Sequence, residues 1–137
     1  MDVSEEQAKH ALFAIHDAWN AGDVERLLSF YVDDLTYWVN MGGPGGGAQT
    51  ILGKDQFKLR LKGWDGLESL SVPNQFRFKA GIARANVEFS VRNPQTGQGL
   101  SSSYRQVLMF RGEKISRMEQ HHDAPAASVF MSLMKKE

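Results

Sequence analysis

Two runs near the end of the chain hold residue types that move protons or polarise carbonyl oxygens. In LSSSYRQVLMF (100–110) the alternation puts Ser102, Tyr104, Gln106, Leu108 and Phe110 on one face of a strand, with Arg105, Val107 and Met109 on the other. The hairpin partner beyond Arg111-Gly112-Glu113 carries Met118, Gln120 and His122 on the same face, leaving Glu119 and His121 opposite. His122 is the single histidine on that inner sheet face, and an imidazole titrating near pH 6.5 suits general acid–base work. Tyr104 can donate to a developing enolate oxygen. Gln106 and Gln120 do not titrate, so they would hold a carbonyl or hydroxyl in place. Each type also serves plain structure. A strand-end histidine bonds a backbone carbonyl, here near Asp123; a tyrosine packs as an amphipathic core residue; and glutamines sit half-exposed at a rim.

Other chemistries fit the sequence poorly. His121, His122 and Asp123 are adjacent, and neighbouring strand residues point to opposite faces, so they do not chelate one ion. With no cysteine there is no thiolate ligand or nucleophile, and neither a metal nor a cofactor is expected. The glycine run at 42–47 lacks the Lys-Ser/Thr of a phosphate loop, since Ala48-Gln49-Thr50 follows it. It reads instead as a flap at the mouth of a site. His16 and Asp17 form a second candidate pair. Ile15 and Trp19 define the inner face of the first helix, which turns Asp17 about 200° from each and leaves His16 at the edge.

The elements that must position these residues are legible. Ser4 and Gln7 have capping-box spacing, and Ala8, Leu12, Ile15 and Trp19 follow at helical intervals. Gly22 stops that helix and Asp23 caps a short second one, through about Tyr31. LTYWVN (35–40) reads as a strand, on which Tyr37 shares a face with Val39. Residues 54–63 read as a third helix through Phe57, Leu61 and Trp64. From Phe76 the period becomes two, with turns at Ala80-Gly81 and Asn93–Gly97 and strands at 100–111 and 114–122. A last helix is expected after Asp123, in which Met131 and Met134 pack. Helices on one face of an antiparallel sheet define an α+β fold in a single domain over residues 1–137.

Composition bounds the function. The 137 residues are 42% hydrophobic and 23% charged, enough for one core. Sixteen basic residues balance sixteen acidic ones, but unevenly along the chain. Residues 1–34 hold eight acids against Lys9 and Arg26, and residues 75–117 hold eight bases against Glu88 and Glu113. This predicts acidic helices complementing a basic sheet rather than a nucleic-acid footprint. No apolar run reaches a membrane span and MDVSEEQAKH is no secretory leader, so the expected location is the cytoplasm.

Together, HALFAIHDAWNAGDVERLLSFYVDDLTYWV, with its Asn20, Gly22, Asp23, Tyr31, Asp33 and Asp34, and the entry Gly53–Phe57 into the third helix resemble the nuclear transport factor 2-like superfamily. That superfamily includes ketosteroid isomerases and SnoaL-like polyketide cyclases. The resemblance implies a curved sheet wrapped around the long first helix as a cone with a deep pocket. It places the steroid isomerases' helix-one tyrosine on Ile15, their base on Val39 and their oxyanion acid on Gln106, so classical steroid isomerisation is not expected. The Asp-Arg-Asp set of the fold's epoxide hydrolases has no counterpart. The implied wall is Ile15, Trp19, Tyr37, Val39, Val87, Phe89, Leu108, Phe110 and Met118, carrying Tyr104, Gln106, Gln120 and His122 as its polar group. The expected ligand is a small hydrophobic molecule, either converted by isomerisation, cyclisation or dehydration with His122 and Tyr104 as catalytic groups, or only bound. A homodimer is expected through Arg105, Val107, Met109 and the His121 side of the sheet.

Overall fold

The computed structural model describes residues 2–41 and 47–123. The element order is α1 (Glu5–Asn20), α2 (Val24–Leu28), β1 (Tyr31–Val39), β2 (Gln49–Leu52), α3 (Lys54–Lys62), β3 (Glu68–Lys79), β4 (Ile82–Arg92), β5 (Gly99–Arg111) and β6 (Lys114–His122). The glycine segment 42–46 and the helix expected after Asp123, with Met131 and Met134, lie outside the described residues.

Helix α1 begins as its sequence dictates. Ser4 Oγ accepts from the Gln7 N–H at 3.1 Å and Gln7 Oε1 accepts from the Ser4 N–H at 2.9 Å, closing the capping box. Its buried face is wider than the expected stripe of Ala8, Leu12, Ile15 and Trp19. Ala11, Ala14 and Ala18 are also buried, and so is His16. Small alanines let the helix sink into the concave sheet, so its edge positions are covered too.

The sheet has six strands in the order β2-β1-β6-β5-β4-β3 and is curved, unclosed and mostly antiparallel. The chain is thus α+β, with the sheet folded around α1 as a cone. One pair departs from the expected antiparallel run: β1 lies parallel to β6, with Tyr37 opposite Met118 and Val39 opposite Gln120. β1 also starts four residues earlier than its alternation suggests, because Tyr31 pairs with Ile115 across a register shift. The short β2 pairs with β1 and has no counterpart among the expected elements. Gly53, at φ 84°, turns β2 into α3 and donates its N–H to the Leu35 carbonyl at 2.8 Å.

β3 extends back to Glu68 and includes Pro73, which is tolerated on the edge strand of the sheet. Between Asn74 and Arg77 it carries one residue more than β4, with Gln75 at φ 54°. That bulge switches the inward parity of the strand. Ser69 and Ser71 face in before it, and Phe76 and Phe78 after it.

Surface charge follows the sequence bias only in part. Asp34 reaches Arg111 at 2.7 Å, but Asp33 and Glu25 pair with Lys54 and Lys58 of α3. Such exposed pairs contribute little to stability.

Candidate functional site

A cavity of about 100 Å³ opens between α1, α3 and the concave face of the sheet. One wall is aromatic. Trp19 meets Trp64 edge-on at 5.5 Å, and Phe57 lies 5.2 Å from both the Tyr31 and Tyr37 rings. The opposite wall sets the Tyr104 and His122 rings 4.6 Å apart and tilted by 46°, with Phe89 5.6 Å from each.

Ile15, Trp19, Tyr37, Phe89, Tyr104, Gln106, Met118, Gln120 and His122 all line this space. Val39, Leu108 and Phe110 do not. Val39 and Leu108 are fully packed in the core, Phe110 packs against it, and Val87 is likewise buried. Alternation gives a side chain's face but not its depth in the cone, and these residues are enclosed by neighbours on the correct face.

The β5–β6 register brings the polar group together in pairs, Tyr104 opposite His122 and Gln106 opposite Gln120. Among the described residues, no backbone carbonyl takes the His122 ring. Asn40 clamps the strand end instead, donating to the His122 carbonyl and accepting from its N–H, both at 2.8 Å. The ring is free to bond the side chain of Gln120, with Nε2 at 3.0 Å from Oε1. Burial first, then the positive charges of Arg60 and His121, lower the His122 pKa to about 4. The imidazole is therefore neutral near pH 7. Burial pushes the Tyr104 hydroxyl up, and Tyr37 and Tyr31 push it further, so it stays protonated as a donor.

His16 was misplaced by helical phase: it faces the cavity and is 5% exposed. Its Nδ1 lies 2.6 Å from Ser71 Oγ and its Nε2 lies 2.8 Å from Gln106 Oε1. Burial lowers its pKa, against the raising influence of Gln106 and Asp17, so the ring is held neutral. The neutral form that satisfies both bonds donates from Nε2 to Gln106 and accepts at Nδ1 from the serine hydroxyl. With Oε1 engaged in this way, Gln106 has its NH2 to offer a ligand oxygen. Asn20, at the end of α1, fixes the serine by bonding its backbone both ways, at 2.8 and 2.9 Å.

Sequence reasoning also missed Arg60, Ser71 and Tyr31 as cavity residues. Arg60 was detectable, since it lies three residues after Phe57 and four before Trp64, on the inner face of α3. Ser71 was hidden by the bulge, which reverses the parity extrapolated from Phe76 and Phe78. Among the described residues, no aspartate or glutamate lines the cavity and no His/Cys/Asp/Glu cluster is arranged to hold a metal ion.

Comparison with known proteins agrees with this fold. A family model described as a SnoaL-like domain matches residues 12–118. No curated protein matches the chain. Among solved structures, TerC co-crystallised with polyporic acid is similar at 21% identity and TM-score 0.75, covering 95% of this chain and 99% of that one. An NTF2-like protein of unknown function from Burkholderia pseudomallei aligns at 15% identity and TM-score 0.78, over 98% and 100% of the two chains. A candidate polyketide cyclase from Xanthomonas campestris aligns at 15% and 0.69, over 96% and 100%.

Proposed function

Because the chain belongs to the SnoaL-like domain family, within the nuclear transport factor 2-like superfamily, we propose that its cone takes up a small hydrophobic carbonyl compound and transfers a proton on it. The observation that carries this reading is His122. It is a neutral imidazole packed against a protonated tyrosine at the wall of a largely aromatic cavity. In this mechanism His122 takes a proton from the carbon next to the carbonyl, and Tyr104 and the Gln106 NH2 donate to the oxygen as it becomes an enolate. The imidazolium then returns the proton to another carbon, for isomerisation, to the oxygen of a second carbonyl whose carbon the enolate has attacked, for cyclisation, or to a departing hydroxyl, for dehydration. A base titrating near 4 is weak, so the substrate is one whose C–H is acidified by a second carbonyl or an aryl group. The likeness to a candidate polyketide cyclase and to a protein co-crystallised with polyporic acid supports that ligand class.

The test is deuterium exchange of the α-protons of 2-indanone in D2O, followed by NMR. Wild type accelerates exchange over the buffer rate, and His122→Gln returns it to that rate. Equal rates for both proteins remove His122 from the mechanism.

A second reading is a domain that binds without reacting. It is favoured by the lack of any carboxylate among the described residues of the lining. It predicts binding of 2-indanone without exchange. In either case the surface proposed for a second copy of the chain is the outer face of the sheet, where Arg105 is exposed and Val107, Met109 and His121 are only partly covered.

A further inference from the structure

Helix α3 carries four basic residues, and Arg60 is placed differently from the two whose ion pairs are seen. Lys54 and Lys58 lie toward the surface and pair with Asp33 and Glu25. Arg60 turns inward beside Phe57 and reaches the cavity wall. None of the ion pairs among the described residues includes it, and its Nε is buried without a hydrogen-bond acceptor. Its neighbour in the cavity is the Tyr37 side chain, to which it is hydrogen-bonded. A second donor on the same wall is in the same condition: Tyr31 is fully buried, and its hydroxyl makes no hydrogen bond among the described residues. A half-buried cation whose buried Nε has no acceptor, beside a fully buried hydroxyl that also has none, is costly unless a ligand supplies the oxygen.

The geometry points to an anion subsite at Arg60, with Tyr31 and Tyr37 alongside, that selects aromatic acids carrying a carboxylate or acidic enolate oxygen. A guanidinium is suited to that task because its planar fork matches a carboxylate. The aromatic faces of Phe57, Trp19 and Trp64 take the ring of such a ligand. The space is on the scale of the roughly 150 Å³ cavities that admit one benzene ring, so a single-ring acid is the fitting probe. The inference rests on the reading of this cavity as a small-molecule site, and names the charge of what enters it.

Benzoate and benzamide form the matched pair, one anionic and one neutral, with binding followed by Trp19/Trp64 fluorescence and by NMR. Wild type is expected to prefer benzoate by about tenfold or more, the scale of a charge-assisted hydrogen bond. Arg60→Gln is expected to bind both to within about twofold, and Arg60→Lys to keep a preference for benzoate. Benzamide binding as tightly as benzoate to wild type overturns the anion subsite while leaving the small-molecule site standing. Binding of neither probe removes both readings. A benzoate preference that survives Arg60→Gln assigns the selection to other groups and overturns the role of Arg60. Should Arg60→Gln fail to fold, Arg60→Lys decides, since loss of the preference there also overturns the proposal.

Discussion

His16 of α1 and Gln106 of β5 are joined across 90 residues of sequence by a 2.8 Å contact from Nε2 to Oε1, inside the cone. The contact fixes the amide orientation of Gln106 and, with Ser71 on the other ring nitrogen, the tautomer of His16. A position that the steroid-isomerase pattern fills with an acid is thereby made a fixed neutral donor.

Replacing His16 with leucine leaves Ser71 and Gln106 without their partner in a buried site. Each orphaned polar group costs about 1–3 kcal/mol, so a comparable fall in unfolding free energy is expected. Urea denaturation measures it. An unchanged midpoint would show that the three groups are satisfied without the histidine.

Acid destabilisation is expected to begin above the carboxylate range. His122 titrates near 4 in the folded chain against about 6.5 unfolded, and His16 is lowered as well. The unfolded chain therefore binds more protons across that window. The contribution is fully present above about pH 6.5 and is lost as the pH falls toward about 4. Urea unfolding between pH 4 and 7 should show this slope, shallower in His122→Gln. Parallel slopes would contradict a lowered His122.

The β3–β4 turn holds a non-glycine residue in the left-handed region, with Ala80 at φ 53° followed by Gly81 at φ 77°. Ala80→Asn makes the Asn-Gly pair preferred in such two-residue hairpins, and is expected to raise stability by about 0.5–1 kcal/mol. A thermal melt of the two proteins reads the shift, and no gain would mean that Ala80 bears no strain.

Association through the outer face of the sheet is checked by light scattering. A dimer mass is expected at micromolar concentration, falling to the monomer mass in Val107→Asp. That residue points away from the cavity, so ligand binding should persist. A monomeric wild type would end the assignment of this face.

The sequence by itself determined the α+β class and the capping box at Ser4 and Gln7, because these rest on local periods. The pairing of Tyr104 with His122 rests on a register shift between Met109 and Phe110, without which the tight turn would set Tyr104 opposite His121. The parallel contact of β1 with β6 could not be read locally, since the two strands meet only when the sheet curls around α1. Burial of His16 depends on how deeply an alanine-rich helix sinks, and the inward turn of Ser71 depends on a single extra residue at Gln75. Val39 and Leu108 were read on the correct face but at the wrong depth, which only packing against the whole cone decides. Arg60 shows the same division: its spacing from Phe57 set its side of the helix, and the tertiary fold alone left that charge at a cavity wall with no carboxylate among the described lining residues.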